Sequence, residues 1–156
     1  MNKRLLELAR VSPEGMQLPE VCNCLGTGAE WIVDASGCDS ELLAVERVIQ
    51  AFCEVIIGEL QLKVVGTPQW HQFPGPGGVT GMYLLSESHL TCHTFPEYGL
   101  LTLNLYCCRP REEWGWEREL RRRFSATDVR ILRVARGIQP VDPVHEQTGA
   151  EQGGDS

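Results

Sequence analysis

The chain has 156 residues, 42% of them hydrophobic and 22% charged, with a formal net charge of −7. That length supports one domain with a real core, and the balance of residue types is that of a globular chain. The acidic charge argues against nucleic acid as a partner, since that calls for a basic face, and no apolar run reaches the roughly 18–20 residues that span a membrane.

The opening "MNKRLLELARVSPEG" is charged throughout and lacks the apolar core of a signal peptide, so the expected location is cytoplasmic. Residues 1–27 read as an N-terminal extension, punctuated by Pro, Gly and Asn, with room for a brief helix. "AEWIVDA" (29–35) predicts a strand. "CDSELLAVERVIQAFCEVIIGEL" (38–60) predicts one helix, capped by Asp39 or Ser40, with Leu42, Val45, Val48, Ile49, Phe52, Val55 and Ile56 on one face. "LQLKVVG" (60–66) is a strand candidate, and "FPGPGG" (73–78), with its prolines and glycines, must be a loop.

Three strand-like runs follow, "VTGMYLL" (79–85), "HLTCHTF" (89–95) and "LLTLNLYC" (100–107). "REEWGWERELRRRF" (111–124) reads as a second helix despite Gly115. Its basic end, "RELRRRF", complements the helix dipole and gives no nucleic-acid signal. "DVRILRV" (128–134) predicts a last strand. Residues 138–156, rich in Pro, Gly, Gln and acid, read as a disordered acidic tail that leaves His145 in solvent. The expected architecture is α+β, a two-layer sandwich of a mainly antiparallel sheet with two main helices on one face, occupying residues 28–137. No internal repeat is present.

Seven cysteines form no regular framework and read as free thiols. Neither Cys22/Cys24 nor Cys107/Cys108 has CxxC spacing, and no companion pair completes a zinc site, so no metal is assigned.

"FPEYGL" reads as a tight turn between the strands at 89–95 and 100–107. If Phe95 pairs with Leu100, His93 faces Thr102 and His89 faces Tyr106. Alternation then puts His89, Thr91, His93, Thr102, Asn104 and Cys108 on a polar face, and Leu90, Cys92, Leu101, Leu103, Leu105 and Cys107 on an apolar one. A Cys and a His on one face fit a nucleophile–base pair, an acid–base pair, a metal fragment shared with His89, or a sheet face that simply meets water. Ser88 falls on the opposite face. The residues alone leave these alternatives open.

The stretch "LSESHLTCHTFPEYG" (85–99) resembles the signature of the small bacterial S-adenosylmethionine decarboxylases, close to L-S-E-S-H-[IL]-S-[IV]-H-T-W-P-E-Y-G. The resemblance runs from about residue 29 to 136 and includes "VDASGCD", "GGVTG" and the cysteine after the next strand. The chain departs from that pattern in several places. Phe95 stands for Trp, Cys92 for a β-branched residue and Arg109 for a glycine, and the loop at 73–78 is one residue longer.

The resemblance implies a proenzyme that cuts itself between Glu87 and Ser88. The Ser88 hydroxyl attacks the Glu87 carbonyl, the resulting ester is eliminated, and hydrolysis leaves a pyruvoyl group derived from Ser88. An unactivated serine needs local strain and a nearby base for this. His93 matches the histidine that assists processing, and Thr80 stands where a processing serine is usual. The pyruvoyl then forms a Schiff base with the substrate amine and acts as the electron sink for decarboxylation, as pyridoxal phosphate does elsewhere. Cys108 matches the general acid, and an ordinary thiol pKa of about 8.5 suits a proton donor near neutral pH. Glu97 matches the acid that holds the ribose hydroxyls, with Phe95 and Phe73 as aromatic partners for adenine.

The implied function is conversion of S-adenosylmethionine to its decarboxylated, aminopropyl-donating form for spermidine synthesis, by a homodimer of cleaved protomers acting on a small molecule. Two alternatives are a pyruvoyl-dependent decarboxylase of a free amino acid such as ornithine or arginine, and a non-catalytic partner subunit of the same fold. Intact Ser88, His93 and Cys108 argue against the latter.

Overall fold

The computed structural model describes residues 28–75 and 77–137. The extension with its brief helix and Cys22/Cys24, and the tail with His145, lie outside the described residues. The elements are β1 (Gly28–Ser36), α1 (Ser40–Leu43), α2 (Glu46–Glu59), β2 (Gln69–Gln72), β3 (Val79–Leu85), β4 (Ser88–Phe95), a 3-10 turn (Pro96–Tyr98), β5 (Leu100–Cys107), α3 (Trp116–Phe124) and β6 (Asp128–Arg136). One sheet holds all six strands in the order β2-β3-β4-β5-β1-β6, every neighbour antiparallel.

The helices cover one face of that sheet. Ile49, Phe52, Cys53 and Ile56 on α2, spaced three and four apart, are buried with Trp116, Leu120 and Phe124 of α3. They meet Trp31, Val33, Tyr83, Leu90, Leu103 and Leu105 from the strands in a single core. Phe52 joins the helical layer, its ring edge-on to Phe124 at 5.1 Å and tilted to Trp114 at 5.9 Å. Burying each such large side chain contributes roughly 1.5–3 kcal/mol. No described residue covers the other face of the sheet, and on it Ile32, Met82, Leu84 and Leu132 are 39%, 52%, 59% and 49% exposed.

The hairpin of β4 and β5 has the expected register, with Phe95 opposite Leu100, His93 opposite Thr102 and His89 opposite Tyr106. Its turn closes at Gly99, which has φ +57° and whose added Cβ would lie 2.9 Å from the Cys38 carbonyl oxygen.

Three expectations are corrected. The 38–60 helix is two helices. Asp39 caps α1, accepting from the Glu41 and Leu42 amides, but the chain breaks at Ala44–Val45. The buried Thr94 hydroxyl donates to the Leu43 carbonyl at 2.9 Å and Gln72 Nε2 donates to the Ala44 carbonyl at 2.7 Å. Those carbonyls are thus satisfied from β4 and β2, and Val45 is extended.

Residues 60–66 form no strand. Val64 makes one isolated bridge to Leu85 before Gly66 turns the chain away at φ +71°. The strand pairing with β3 is instead β2, Gln69–Gln72.

The second helix begins at Trp116, not Arg111. Gly115 is its N-cap, and the preceding segment is held by side-chain bonds, among them Trp114 Nε1 to Glu59 at 2.6 Å.

Candidate active site

The site residues fall into two groups, one at each end of β4. The first surrounds the hairpin between β3 and β4, where Leu85 pairs with Ser88 across the two-residue turn Ser86–Glu87. Two-residue hairpins favour positive φ at their central residues. Here neither central residue has it, and Ser88 itself sits at φ +138°. Serine rarely adopts such a conformation, at a cost of about 1–3 kcal/mol.

The peptide bond before Ser88 is also polarised. The Cys108 amide donates to the Glu87 carbonyl oxygen at 2.9 Å. The Ser88 hydroxyl lies 3.2 Å from His89 Nδ1, and the His89 ring packs against Tyr106 at 5.8 Å. The Glu87 carboxylate receives Arg111 through Nη2 at 2.6 Å and Nε at 3.2 Å. The bond to Glu87 raises the Arg111 pKa above its ordinary value. Among the described cysteines Cys108 alone is exposed, while burial pushes Cys107 up.

The second group lines a cleft of about 290 Å³ bordered by Phe73, Gly78, His93, Phe95 and Glu97. Thr80 and His93 are cross-strand partners on β3 and β4 and share a hydrogen bond of 2.5 Å between Oγ1 and Nδ1. The His93 ring stands between Phe95 at 4.3 Å and Phe73 at 5.6 Å. Gly78 allows the loop this close, since a Cβ there would meet the Thr94 carbonyl oxygen at 2.3 Å. Glu97 is exposed at the rim.

Thr80, His93, Phe73, Phe95 and Glu97 are therefore brought together, and so are Glu87, Ser88 and Cys108, but the two groups are not. Five residues of extended strand separate Ser88 from His93 by roughly 16 Å. His89 and His93 share a face, yet four residues put them about 13 Å apart, too far to share a metal ion. Among the described residues no three His, Cys, Asp or Glu side chains gather at metal-ligating distance, and no helix is long and apolar enough to cross a membrane.

Two residues at the junction make contacts that the sequence alone did not assign to them, His89 to the Ser88 hydroxyl and Arg111 to Glu87. His89 carried a signal, as the neighbour of Ser88. Arg111 carried none, because its partner Glu87 is 24 residues away.

Fold and site together define a two-layer α+β domain with one sheet face that no described residue covers and a strained, polarised peptide junction. Residues 29–137 match the family described as S-adenosylmethionine decarboxylase. The chain is 34% identical over 119 residues to the S-adenosylmethionine decarboxylase proenzyme of Shouchella clausii, covering 74% of this chain and 89% of that one. It is 40% identical over 81 residues to the proenzyme of the same name from Archaeoglobus fulgidus, covering 52% and 70%. Its fold matches the crystal structure of the adenosylmethionine decarboxylase from Aquifex aeolicus, with a TM-score of 0.65 and 25% identity over 76% of this chain and 97% of that one. The chain belongs to the S-adenosylmethionine decarboxylase family.

Proposed function

We propose that the chain is a self-processing decarboxylase of S-adenosylmethionine whose cofactor is a pyruvoyl group made from Ser88. The observation that carries this is the coincidence of strain, carbonyl polarisation and a hydrogen-bonded hydroxyl at the single bond Glu87–Ser88.

The chemistry balances at that bond. Ser88 Oγ adds to the Glu87 carbonyl carbon, and the Cys108 amide faces the oxygen on which negative charge develops. Collapse breaks the C–N bond and moves the acyl group to Oγ. Loss of the Ser88 Cα proton then breaks the Ser88 Cβ–Oγ bond, expels the newly formed α-carboxylate of Glu87 and leaves a dehydroalanine. Its imine tautomer takes up water and releases ammonia, leaving a pyruvoyl terminus. The pyruvoyl carbonyl supplies the electron sink for loss of carbon dioxide. Cys108, exposed beside Ser88, is suited to return the proton. The aromatic cleft at His93, with Glu97 at its rim, suits a nucleoside, with Phe73 and Phe95 for adenine and the carboxylate for ribose hydroxyls. This favours S-adenosylmethionine over a free amino acid.

The two ends of β4 belong to one site only if a second copy supplies the missing half. The uncovered sheet face with Ile32, Met82, Leu84 and Leu132 supports a homodimer packed sheet to sheet. A twofold axis in that interface, perpendicular to the strands and crossing the middle of β4, would set the Ser88 end of one β4 against the His93 end of the other. Cytoplasmic location and a role in spermidine synthesis follow from the same reading.

Intact mass of the purified protein under denaturing conditions tests it. The expected result is a fragment ending at Glu87 and a second fragment blocked by pyruvoyl, with carbon dioxide released from S-adenosylmethionine and not from ornithine or arginine. A stable full-length chain would overturn it in favour of a non-catalytic partner subunit.

A further inference from the structure

We infer that Arg111 is a positioning residue for the self-cleavage, holding Glu87 in the conformation in which its carbonyl is attacked; this rests on the processing reading above. The guanidinium uses three N–H groups at once. Nη2 and Nε converge on one carboxylate oxygen of Glu87 at 2.6 and 3.2 Å, and Nη1 donates to the Leu60 carbonyl at 2.7 Å. Leu60 is the C-cap of α2, so the turn between β3 and β4 is tied to the end of the main core helix.

Glu87 is thereby held at both ends by one short segment. The Cys108 amide takes its carbonyl oxygen and Arg111, three residues on, takes its carboxylate. The residue before it is pinned as well, by the Ser86 amide on the Lys63 carbonyl at 2.8 Å.

A strained turn relaxes by rotating its peptide planes, and the plane that must not rotate here is Glu87–Ser88. With both ends of Glu87 fixed, the strain stays at Ser88 and the carbonyl stays on the Cys108 amide. The ion pair is only about one-fifth exposed on each side (22% and 21%), which shields it from solvent screening more than a surface pair. A planar fork that grips a carboxylate and a carbonyl together is arginine chemistry, and a lysine reproduces it in part.

The experiment follows the appearance of cut chain in freshly made protein, at a temperature well below the unfolding midpoint of each variant. Arg111→Ala and Glu87→Gln are expected to slow cutting by roughly 10- to 100-fold, the scale set by a misplaced reacting group. Arg111→Lys should recover part of the rate, as should millimolar guanidinium added to Arg111→Ala. The double variant should be no slower than the slower single one, because both remove one interaction. A merely structural tie would lower the midpoint without responding to guanidinium. Cutting of Arg111→Ala at the parent rate, or additive losses in the double variant, would overturn the inference while leaving the processing reading intact. A parent chain that never cuts would overturn both.

Discussion

Thr80 and His93 meet across β3 and β4 with Oγ1 and Nδ1 2.5 Å apart, and the Phe73 and Phe95 rings flank the same imidazole. The hydroxyl therefore fixes the orientation of the ring. Thr80→Val keeps the shape and removes that bond, and is expected to slow self-cleavage by about 10- to 100-fold, at or below the low end of acid–base effects because the imidazole itself stays. Thr80→Ser should cut at nearly the parent rate. A time course of fragment appearance on denaturing gels reads both, and equal rates in Val and Ser would deny the hydroxyl a part.

Cys108 touches the junction through its backbone, which a side-chain substitution leaves in place. Cys108→Ala is therefore expected to cut normally yet release carbon dioxide about 10²- to 10⁴-fold more slowly per cut chain, the range for loss of a general acid. Comparing fragment mass with labelled carbon dioxide release separates the two steps. Unchanged turnover in cut Cys108→Ala would move the proton donor elsewhere.

Ile32 and Leu132 are cross-strand partners on β1 and β6, exposed on the uncovered face and away from β4. Charge placed there sets like carboxylates against an apolar surface in any sheet-to-sheet pair. The Ile32→Glu, Leu132→Glu double variant is expected to elute as a monomer and to lose activity. Mixing it with Ser88→Ala should restore none. A fully active monomer would refute the shared site.

Glu119 gives the acid limb of stability a defined sign. It is buried on α3 beneath Arg122, Arg123 and Arg118. Hydrogen bonds, first from Arg122 and then from Arg123, pull its pKa from the ordinary 4.5 down to about 2. A carboxylate lowered in the folded state stabilises the protein above its unfolded pKa, and that stabilisation is lost as pH falls through the folded value. The thermal midpoint should decline between pH 4.5 and 2, and less so in Glu119→Gln. The exposed guanidiniums of Arg118 and Arg122 make the effect salt-sensitive. An identical acid limb in Glu119→Gln would assign it to other carboxylates.

What the sequence makes legible here is whatever alternation or turn chemistry controls. The register from Phe95 and Leu100 to His89 and Tyr106 follows from a Pro–Gly turn and two alternating runs. The break at Ala44–Val45 does not, because its cause is Thr94 and Gln72 reaching in from distant strands. Gln69–Gln72 is an exposed edge strand with no apolar period to display, whereas Lys63–Val65 looks β-branched but meets the sheet at only one point. Of the site, the β3–β4 hydrogen bond joins residues thirteen apart. The strain at Ser88 and the hold of Arg111 exist only once the turn has closed.

The sheet order has a further consequence for a chain cut at Glu87–Ser88. The first fragment would own β1, β2 and β3 and the second β4, β5 and β6, yet β1 lies between β5 and β6. Three of the five strand boundaries, β3/β4, β5/β1 and β1/β6, would then join different polypeptides, so the pieces are laced through one another and do not part while the sheet survives. Once separated in denaturant they must find each other again. Recovery becomes a second-order encounter that slows on dilution, while the uncut precursor returns at a rate independent of concentration.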